Sequence, residues 1–422
     1  MSRTIFREAN LLDGESPARA AVSVVVDGDR IAFVGDGDAA PAAPGDREIE
    51  LAGRTLMPGL VLSHFHSTYD GITIMPEPLG LENPPGYLML VAANNVRKAL
   101  HCGFTSIVSA GAINDEIDVQ LKAAIDDGVV EGPRMLAGGR GLDTTGGYTD
   151  TGPHWWELGN PGASRFCDGP DEFRAAVRAE ISRGVEIVKL FPSGGHGVHD
   201  TAAASAISED EMRAAAEAAH QRGKKVRAHC SWRHSVLECV RAGVDVIDHG
   251  DEIDRECIDA MVAAGTTLVP GMFFLKQMLG DTGNLVNATP EQMAPIQAEF
   301  DNLRKMLPVA QQAGVNLCVG DDYGIIILPH GRYAEELEFY VKEVGIAPLD
   351  VIRWATRNGA KLMGREDEVG SVSEGKLADL LVVDGDPSVD IAVLQDRDKL
   401  LAIMKGGALV KDHLSNLETP NP

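Results

Sequence analysis

Residues 57–66 read MPGLVLSHFH, an apolar run that ends in two histidines, His64 and His66. A short apolar run bounded by proline and glycine is typical of a buried strand, and we predict one over residues 59–64. Side chains two positions apart on a strand point to the same side. His64 and His66 should therefore face one common space at the end of this strand.

Outward from this stretch, short apolar runs alternate with helix-like segments such as 171–183, 209–222 and 254–264. This alternation predicts an α/β fold with βα units and a parallel sheet. Eight units favour a (β/α)8 TIM barrel over the alternative, a Rossmann-like sheet, because no GxGxxG follows an early strand. The predicted strands are 59–64, 105–109, 134–137, 186–191, 226–229, 244–249, 267–270 and 316–320.

Both chain ends instead contain short strand-like pieces separated by turns, as in the turn Asp27-Gly28-Asp29, a hairpin signal. We predict a small composite β-sandwich domain from residues 1–57 plus 365–422 and a catalytic barrel over 58–364. Long loops are expected over 141–168 and 271–294, where barrel enzymes build their sites. The strand-like pieces at the ends are 21–26, 30–34, 378–384 and 400–404.

The composition excludes several classes of function. The 422-residue chain carries a formal net charge of −25, which would repel a phosphate backbone. No apolar run reaches the ~20 residues that a membrane span needs. The six cysteines have no CxxC spacing, which is typical of reduced thiols. We expect a cytoplasmic protein that binds neither nucleic acid nor membranes.

Residues able to bind metals recur at or near the carboxyl ends of the predicted strands, where barrel enzymes carry their catalytic groups. Imidazoles and carboxylates bind zinc, and an open position lets the metal lower the pKa of a water to about 7. One such histidine is more often a structural residue, and a lysine in a strand is usually ion-paired or extends its amine to solvent. The set as a whole favours a metal site: His64, His66, Lys189, His229, His249, Asp321 and Asp322.

These segments resemble, in order, the motifs of the amidohydrolase superfamily, over nearly the whole chain. Residues 57–66 are similar to its PGLxDxHxH motif, and Val188-Lys189-Leu190-Phe191 to its carboxylated-lysine segment. The other matching segments are 228–229, 247–250 and 320–324, and residues 374–383 at the return into the β domain.

The resemblance implies a site for two divalent metal ions, most simply Zn²⁺. His64 and His66 with Asp322 would hold one ion and His229 with His249 the other, bridged by a carbamate that carbon dioxide forms on Lys189. A hydroxide bridging the metals would attack the scissile carbonyl, and Asp322 would pass its proton to the leaving amine. Asp322 is preferred over Asp321, which occupies the Thr or Ser position of the motif.

The chain departs from the family pattern at two positions. Leu62 stands where an aspartate is frequent, so an outer partner of the first histidines is in doubt. Tyr148, within Thr145-Gly146-Gly147-Tyr148-Thr149-Asp150, replaces the histidine of a TGGHGD segment. Its phenol is a candidate catalytic donor to a carbonyl oxygen or oxyanion, with packing of the ring as the alternative.

The pattern is most similar to the prolidase-like and imidazolonepropionase-like branches. It implies hydrolysis of an amide in an N-acyl amino acid or dipeptide-like substrate, with opening of a lactam or imidazolone ring as the alternative. A mononuclear deaminase is disfavoured because no Glu follows His229 by three residues, and a non-catalytic scaffold because every ligand position is filled.

Substrate-binding candidates are less specific in sequence. Apolar groups in the predicted loops, at 154–156 and 272–275, suit an aromatic or aliphatic substrate group. The resemblance further implies a small-molecule amide substrate and a homo-oligomer. Polar candidates for a substrate carboxylate or carbonyl are His196, His199, Arg233, Tyr323 and His330.

Overall fold

The computed structural model describes residues 3–36, 40, 42–73, 83–114, 116–150, 162–196, 205–280 and 290–417. The chain has a mixed α/β fold. Its strands are β1 (Thr4–Leu11), β2 (Arg19–Asp27), β3 (Arg30–Asp36), β4 (Arg47–Glu50), β5 (Thr55–Pro58), β6 (Leu60–Phe65), β7 (Phe104–Ser109), β8 (Arg134–Leu136), β9 (Gly138–Asp143), β10 (Ser164–Phe166), β11 (Ile187–Leu190), β12 (Lys225–Cys230), β13 (Val246–His249), β14 (Thr267–Val269), β15 (Asn316–Leu317), β16 (Leu380–Val383), β17 (Leu400–Lys405) and β18 (Ala408–Asp412).

The α-helices are α1 (Pro85–His101), α2 (Ile117–Asp126), α3 (Pro170–Arg183), α4 (Glu209–His220), α5 (Arg233–Ala242), α6 (Arg255–Ala264), α7 (Met272–Leu279), α8 (Pro290–Ala313), α9 (Tyr333–Phe339), α10 (Pro348–Arg353) and α11 (Gly359–Met363). Two π-helical turns (Tyr340–Val344 and Trp354–Asn358) and two 3₁₀ turns (Ile391–Gln395 and Ser415–Leu417) complete the elements. Within the part of the chain that the structure describes, no helix has the length and apolar character of a membrane span.

The chain divides into two compact units. One consists of Met1–Leu62, Arg97–Ser106 and Gly331–Pro422, and the other of Ser63–Val96 and Ile107–His330. The predicted domain limits, 1–57 plus 365–422 and 58–364, stay predictions.

The first unit contains a sheet with strands from both chain ends. Its eight strands run in the order β18-β17-β16-β5-β1-β2-β3, with β4 paired to β1. β5 and β16 pair antiparallel, with Leu56 opposite Val382. The predicted hairpin is present, since Asp27 of β2 pairs with Arg30 of β3 around the turn at Gly28. Buried aliphatic side chains from both ends of the sequence form one core beside this sheet.

The second unit contains a parallel sheet that carries much of the predicted chemistry. Its seven strands run in the order β10-β9-β11-β12-β13-β14-β15. Each neighbouring pair is parallel, so their carboxyl ends lie at one edge. Apart from these two sheets, three further strands pair in the order β6-β7-β8.

Helices α3, α4 and α6 confirm the predicted segments, and their ends have local causes. Ser208 and Glu211 form a capping box at the start of α4, and Asp254 accepts the amide of Cys257 at the start of α6. Gly184, with a positive φ, ends α3.

The loops predicted over 141–168 and 271–294 were partly wrong. Residues 138–143 form β9 and 164–166 form β10, and Met272–Leu279 form α7. β9 was not predicted because it is rich in glycine, a residue with low strand propensity. Close packing requires glycine here. A Cβ on Gly141 would lie 2.0 Å from the Phe191 ring. The predicted strand 316–320 is shorter than expected, with only Asn316–Leu317 paired.

Candidate metal centre

The first predicted histidine pair meets a carboxylate. His64 ends up fully buried in β6 and His66 follows the strand, with their Nε2 atoms 3.2 Å apart. Oδ1 of Asp322 lies 3.0 Å from Nε2 of His64 and 3.2 Å from Nε2 of His66. Three potential ligand atoms from distant parts of the sequence therefore converge on one point.

The two adjacent aspartates have different surroundings. Asp321 is fully buried, and its carboxylate accepts the backbone amides of Phe274 at 2.8 Å and Asp322 at 2.7 Å. Asp322 instead directs its carboxylate to the two histidines. This geometry favours Asp322 as the ligand and Asp321 as a residue that holds the turn.

The second histidine pair comes from neighbouring parallel strands. His229 lies in β12 and His249 ends β13, with ring centroids 4.5 Å apart. His249 has a φ of 74°, a left-handed conformation that is unusual outside glycine and turns its side chain out of the strand alternation. Ligand atoms of His64, His249 and Asp322 lie within 4.8 Å of one another.

Lys189 lies in β11 and is almost fully buried. Its Nζ donates to Oδ2 of Asp248 at 2.6 Å and lies 5.4 Å from the centroid of the Phe191 ring. Burial lowers the pKa of the Lys189 amine, although the Asp248 charge opposes that effect. A lowered pKa leaves more of the neutral amine, the form that can react with carbon dioxide.

Two residues of this centre were missed in the sequence, Arg227 and Asp248. Both are fully buried. Asp248 lies 3.2 Å from Nδ1 of His64, so this histidine has a carboxylate partner despite Leu62. Burial disfavours the Asp248 anion, yet the charges of Arg227 and Lys189 hold the pKa of Asp248 well below its usual range. The available signal was an arginine two residues before His229 in an apolar strand, hence on the same side.

The electrostatics favour neutral imidazoles. Burial lowers the pKa of His66 to about 4, against the hydrogen bond to Asp322, and that of His229 to about 3. Burial, with the charges of His196 and His229, holds the pKa of His249 well below its ordinary value. For Asp322, burial opposes ionisation, but His64 and His66 hold its pKa well below the usual range. The centre thus offers neutral nitrogen lone pairs beside a carboxylate anion.

The residues fit divalent metal ions. Among the described residues, Nε2 of His229 and both ring nitrogens of His249 are buried without a hydrogen-bond partner. Buried polar atoms without partners are costly, and a bound ion would supply partners. The donor set, imidazole with carboxylate, suits zinc as well as manganese, cobalt or iron.

Tyr148 lies beside the second histidine pair. Its ring stacks on His229, with centroids 5.1 Å apart and planes 17° apart. Burial, with the Asp322 charge next, raises the pKa of the Tyr148 hydroxyl well above its ordinary value. The phenol is therefore a neutral hydrogen-bond donor, as a catalytic role requires, and its ring is also packed.

Among the polar substrate candidates, His196 contacts the second histidine pair directly. Its ring stacks on His249 with centroids 3.7 Å apart, and its Nδ1 lies 3.0 Å from Oδ1 of the buried Asp251. Burial opposes protonation, but the charge and hydrogen bond of Asp251, together with the Asp322 charge, raise the pKa of His196. Ligand atoms of His196, Asp321 and Asp322 lie within 4.8 Å of one another.

The other substrate candidates are less clearly connected to the centre. Tyr323 is buried directly after Asp322, and the ring of His330 lies 5.0 Å from that of Phe65. Arg233 begins α5 and forms ion pairs with Asp254 and Glu256. His199 and the aromatic group at 154–156 lie outside the described residues. Their roles stay predictions.

The chain is similar in sequence and structure to known amidohydrolases. The sequence model of the Amidohydrolase family matches residues 55–410. An ochratoxinase from Aspergillus niger is 29% identical over 97% of this chain and 86% of its own length. An imidazolonepropionase from Streptomyces avermitilis is 24% identical over 88% of this chain and 82% of its own. A solved prolidase complexed with N-methylphosphonate-L-proline superimposes with a TM-score of 0.86 at 29% identity, covering 97% of this chain and 100% of that one.

Proposed function

We propose that this chain, which belongs to the amidohydrolase family, cleaves the amide of an N-acyl amino acid or dipeptide-like substrate. The relatives compared above are hydrolases of carbon–nitrogen bonds. The observation that carries this proposal is the convergence of His64, His66 and Asp322 beside His229 and His249.

The proposed site holds two divalent ions, most simply Zn²⁺. His64, His66 and Asp322 would bind one, His229 and His249 the other, and a carbamate on Lys189 would bridge them. The assignment is supported by the buried nitrogens of His229 and His249 that have no hydrogen-bond partner among the described residues. We further propose that the parallel strands close into a (β/α)8 barrel, with the site at their carboxyl ends, and that the sheet of the first unit belongs to a β-sandwich.

The bound ions would acidify a water and polarise the scissile carbonyl. Asp322, an anion with an oxygen at the convergence point, would accept a proton and deliver it to the departing amine nitrogen. Tyr148 would donate a hydrogen bond to the oxygen that gains negative charge. Asp322 and Tyr148 are partly buried, which would limit the access of bulk water and strengthen both interactions.

The preference for an acyclic amide comes from the relatives. The ligand of the solved prolidase, N-methylphosphonate-L-proline, carries a tetrahedral phosphorus on an amino acid nitrogen. Such a group resembles the tetrahedral stage of amide hydrolysis in an N-acyl amino acid. The likeness to imidazolonepropionase keeps a cyclic amide as the second candidate function.

Metal content and activity test the proposal together. Protein purified with bicarbonate and without chelators is analysed for metals, as wild type and as Lys189→Ala. About two ions per chain, falling to about one in the variant, are expected. One ion in both proteins would indicate a mononuclear design, and none after addition of zinc would contradict a metal-dependent hydrolase.

A substrate panel then separates the two candidate functions. Wild type is assayed on N-acyl amino acids, dipeptides and cyclic amides, with Asp322→Asn as the inactive control. Faster turnover of the acyclic compounds supports the proposal. Turnover restricted to lactams or imidazolones would replace it with the cyclic alternative.

A further inference from the structure

Arg227 makes more contacts around the centre than the metal chemistry requires. It lies in β12, two residues before His229, and is fully buried. Its Nε donates to Oδ2 of Asp248 at 3.0 Å, and its Nη2 donates to Oδ1 of the same carboxylate. Its Nη1 donates to the carbonyl oxygens of Ser63 at 3.1 Å and Ser109 at 2.6 Å.

Each of these acceptors is connected to His64 or His66, through the chain or through a hydrogen bond. Ser63 precedes His64 in the chain, and Asp248 Oδ1 lies 3.2 Å from Nδ1 of His64. Ser109 is two residues before Gly111, whose carbonyl oxygen lies 3.0 Å from Nδ1 of His66. One guanidinium therefore connects the backbone that carries His64 with the groups facing the Nδ1 atoms of both rings.

The Nδ1 partners decide which nitrogen each histidine presents. An imidazole that donates its Nδ1 proton to an oxygen keeps a bare lone pair on Nε2. In both His64 and His66, Nε2 is the atom that faces Asp322. Nη2 of Arg227 also lies 3.3 Å from Nδ1 of His64. These two nitrogens face the same oxygen of Asp248, Oδ1.

We propose that Arg227 is a positioning residue, which fixes Asp248 and the ends of β6 and β7 so that His64 and His66 present Nε2 to one metal ion. This inference rests on the proposed function, and it assigns to Arg227 an effect on the His64/His66 half of the centre alone.

Stability by itself explains Arg227 poorly. The free-energy cost of removing a guanidinium and a carboxylate from water is about as large as the free energy gained from their attraction. Apolar residues of similar volume therefore frequently give a protein the same stability. A planar fork with donors aimed at two backbone carbonyls and a carboxylate does what an apolar side chain cannot, because it fixes directions. Because Arg227 lies beside two candidate ligands, these fixed hydrogen-bond directions can orient the ligands.

The test measures zinc affinity at each half of the centre. Wild type and Arg227→Lys are titrated with zinc against a chromophoric chelator, which reports two dissociation constants. The lysine keeps the charge and loses the fork, so the affinity of one site should fall about 10- to 100-fold while the other is unchanged. Arg183→Lys is the matched control, because Arg183 pairs with the buried Glu180 on α3.

A double-mutant cycle identifies the affected half. If Arg227 acts through His64 and His66, the Arg227→Lys change adds nothing to the defect of His66→Asn, but it adds fully to that of His229→Asn. Equal additivity in both backgrounds would overturn the inference, since it would indicate a general structural role.

Asp248→Asn provides a second route if Arg227→Lys does not fold. It keeps the shape of the side chain and removes the charge, and the His64/His66 site should weaken by a similar factor. The other site should weaken less, because Asp248 reaches it only through Lys189. Unchanged affinity in either folded variant would overturn the inference and leave the proposed function standing. Failure of wild type to bind zinc would instead contradict the proposed function itself.

Discussion

The backbone amide of Asp322 donates a hydrogen bond to the carboxylate of Asp321, at 2.7 Å. Asp321 also accepts the amide of Phe274, so its two oxygens hold the turn that presents Asp322 to His64. Two adjacent residues of one type thus have separate tasks, one to hold the turn and one to face His64 and His66.

This division predicts different outcomes for the two amide variants. Asp322→Asn should lower kcat about 10²- to 10⁴-fold, because it removes a proton carrier and the carboxylate that faces His64 and His66. Asp321→Asn should cost about 1–3 kcal/mol of stability, since an amide group replaces an acceptor oxygen. Steady-state kinetics and thermal unfolding check both. The reverse pattern would assign the proton transfer to Asp321.

Tyr148→Phe tests the hydroxyl without disturbing the ring. The phenylalanine keeps the stack on His229, so folding and metal content should be unchanged. Loss of a donor to the developing oxyanion should lower kcat about 100-fold, with a smaller change in KM. A kcat equal to that of wild type would leave Tyr148 with a packing role alone.

Gly320→Ala should disrupt the centre through the backbone. Gly320 has a φ of 138°, and a Cβ there would lie 2.3 Å from the backbone nitrogen of His64. Gly314 is the matched control, because it also has a positive φ of 88° and a Cβ there would have no neighbour within 4 Å. Chemical denaturation should show that Gly320→Ala costs about 3 kcal/mol more than Gly314→Ala. Equal costs would mean that the strand end adjusts freely.

The metal-free protein should lose stability between neutral and acidic pH because of His66. Its folded-state pKa of about 4 lies below the ordinary histidine value, near 6.5. Between these values the unfolded chain binds more protons at this site, so the free energy of unfolding falls as the pH falls, with about 3 kcal/mol coming from His66. His229 and His249, whose pKa values are also lowered, add to this fall. Urea unfolding at pH 7, 6 and 5 measures the slope. His66→Asn should make the slope shallower, with the remainder due to His229 and His249, whereas replacing the exposed His413 by Asn should leave it unchanged. An identical slope in His66→Asn would contradict the assignment.

The family and the candidate metal ligands were accessible from the sequence. Apolar runs ending in His64, His229 and His249 are local patterns, and parallel strands bring their carboxyl ends to one edge wherever they pair. The strand-like pieces at the two chain ends were also local patterns, and they are confirmed by β2, β3, β16 and β17. Such features follow from residue type and period over a few positions.

Only the tertiary structure decided the surroundings of those ligands. Arg227 and Asp248 acquire a role because β12 and β13 pair and place the guanidinium against the carboxylate, with Ser63 and Ser109 beside it. The glycine-rich strand β9 was hidden because packing against Phe191, rather than propensity, keeps it in the sheet. Chain periodicity determines which side chains point inward, but hydrogen bonds between distant segments determine what each one touches, and those distances are fixed only when the core packs.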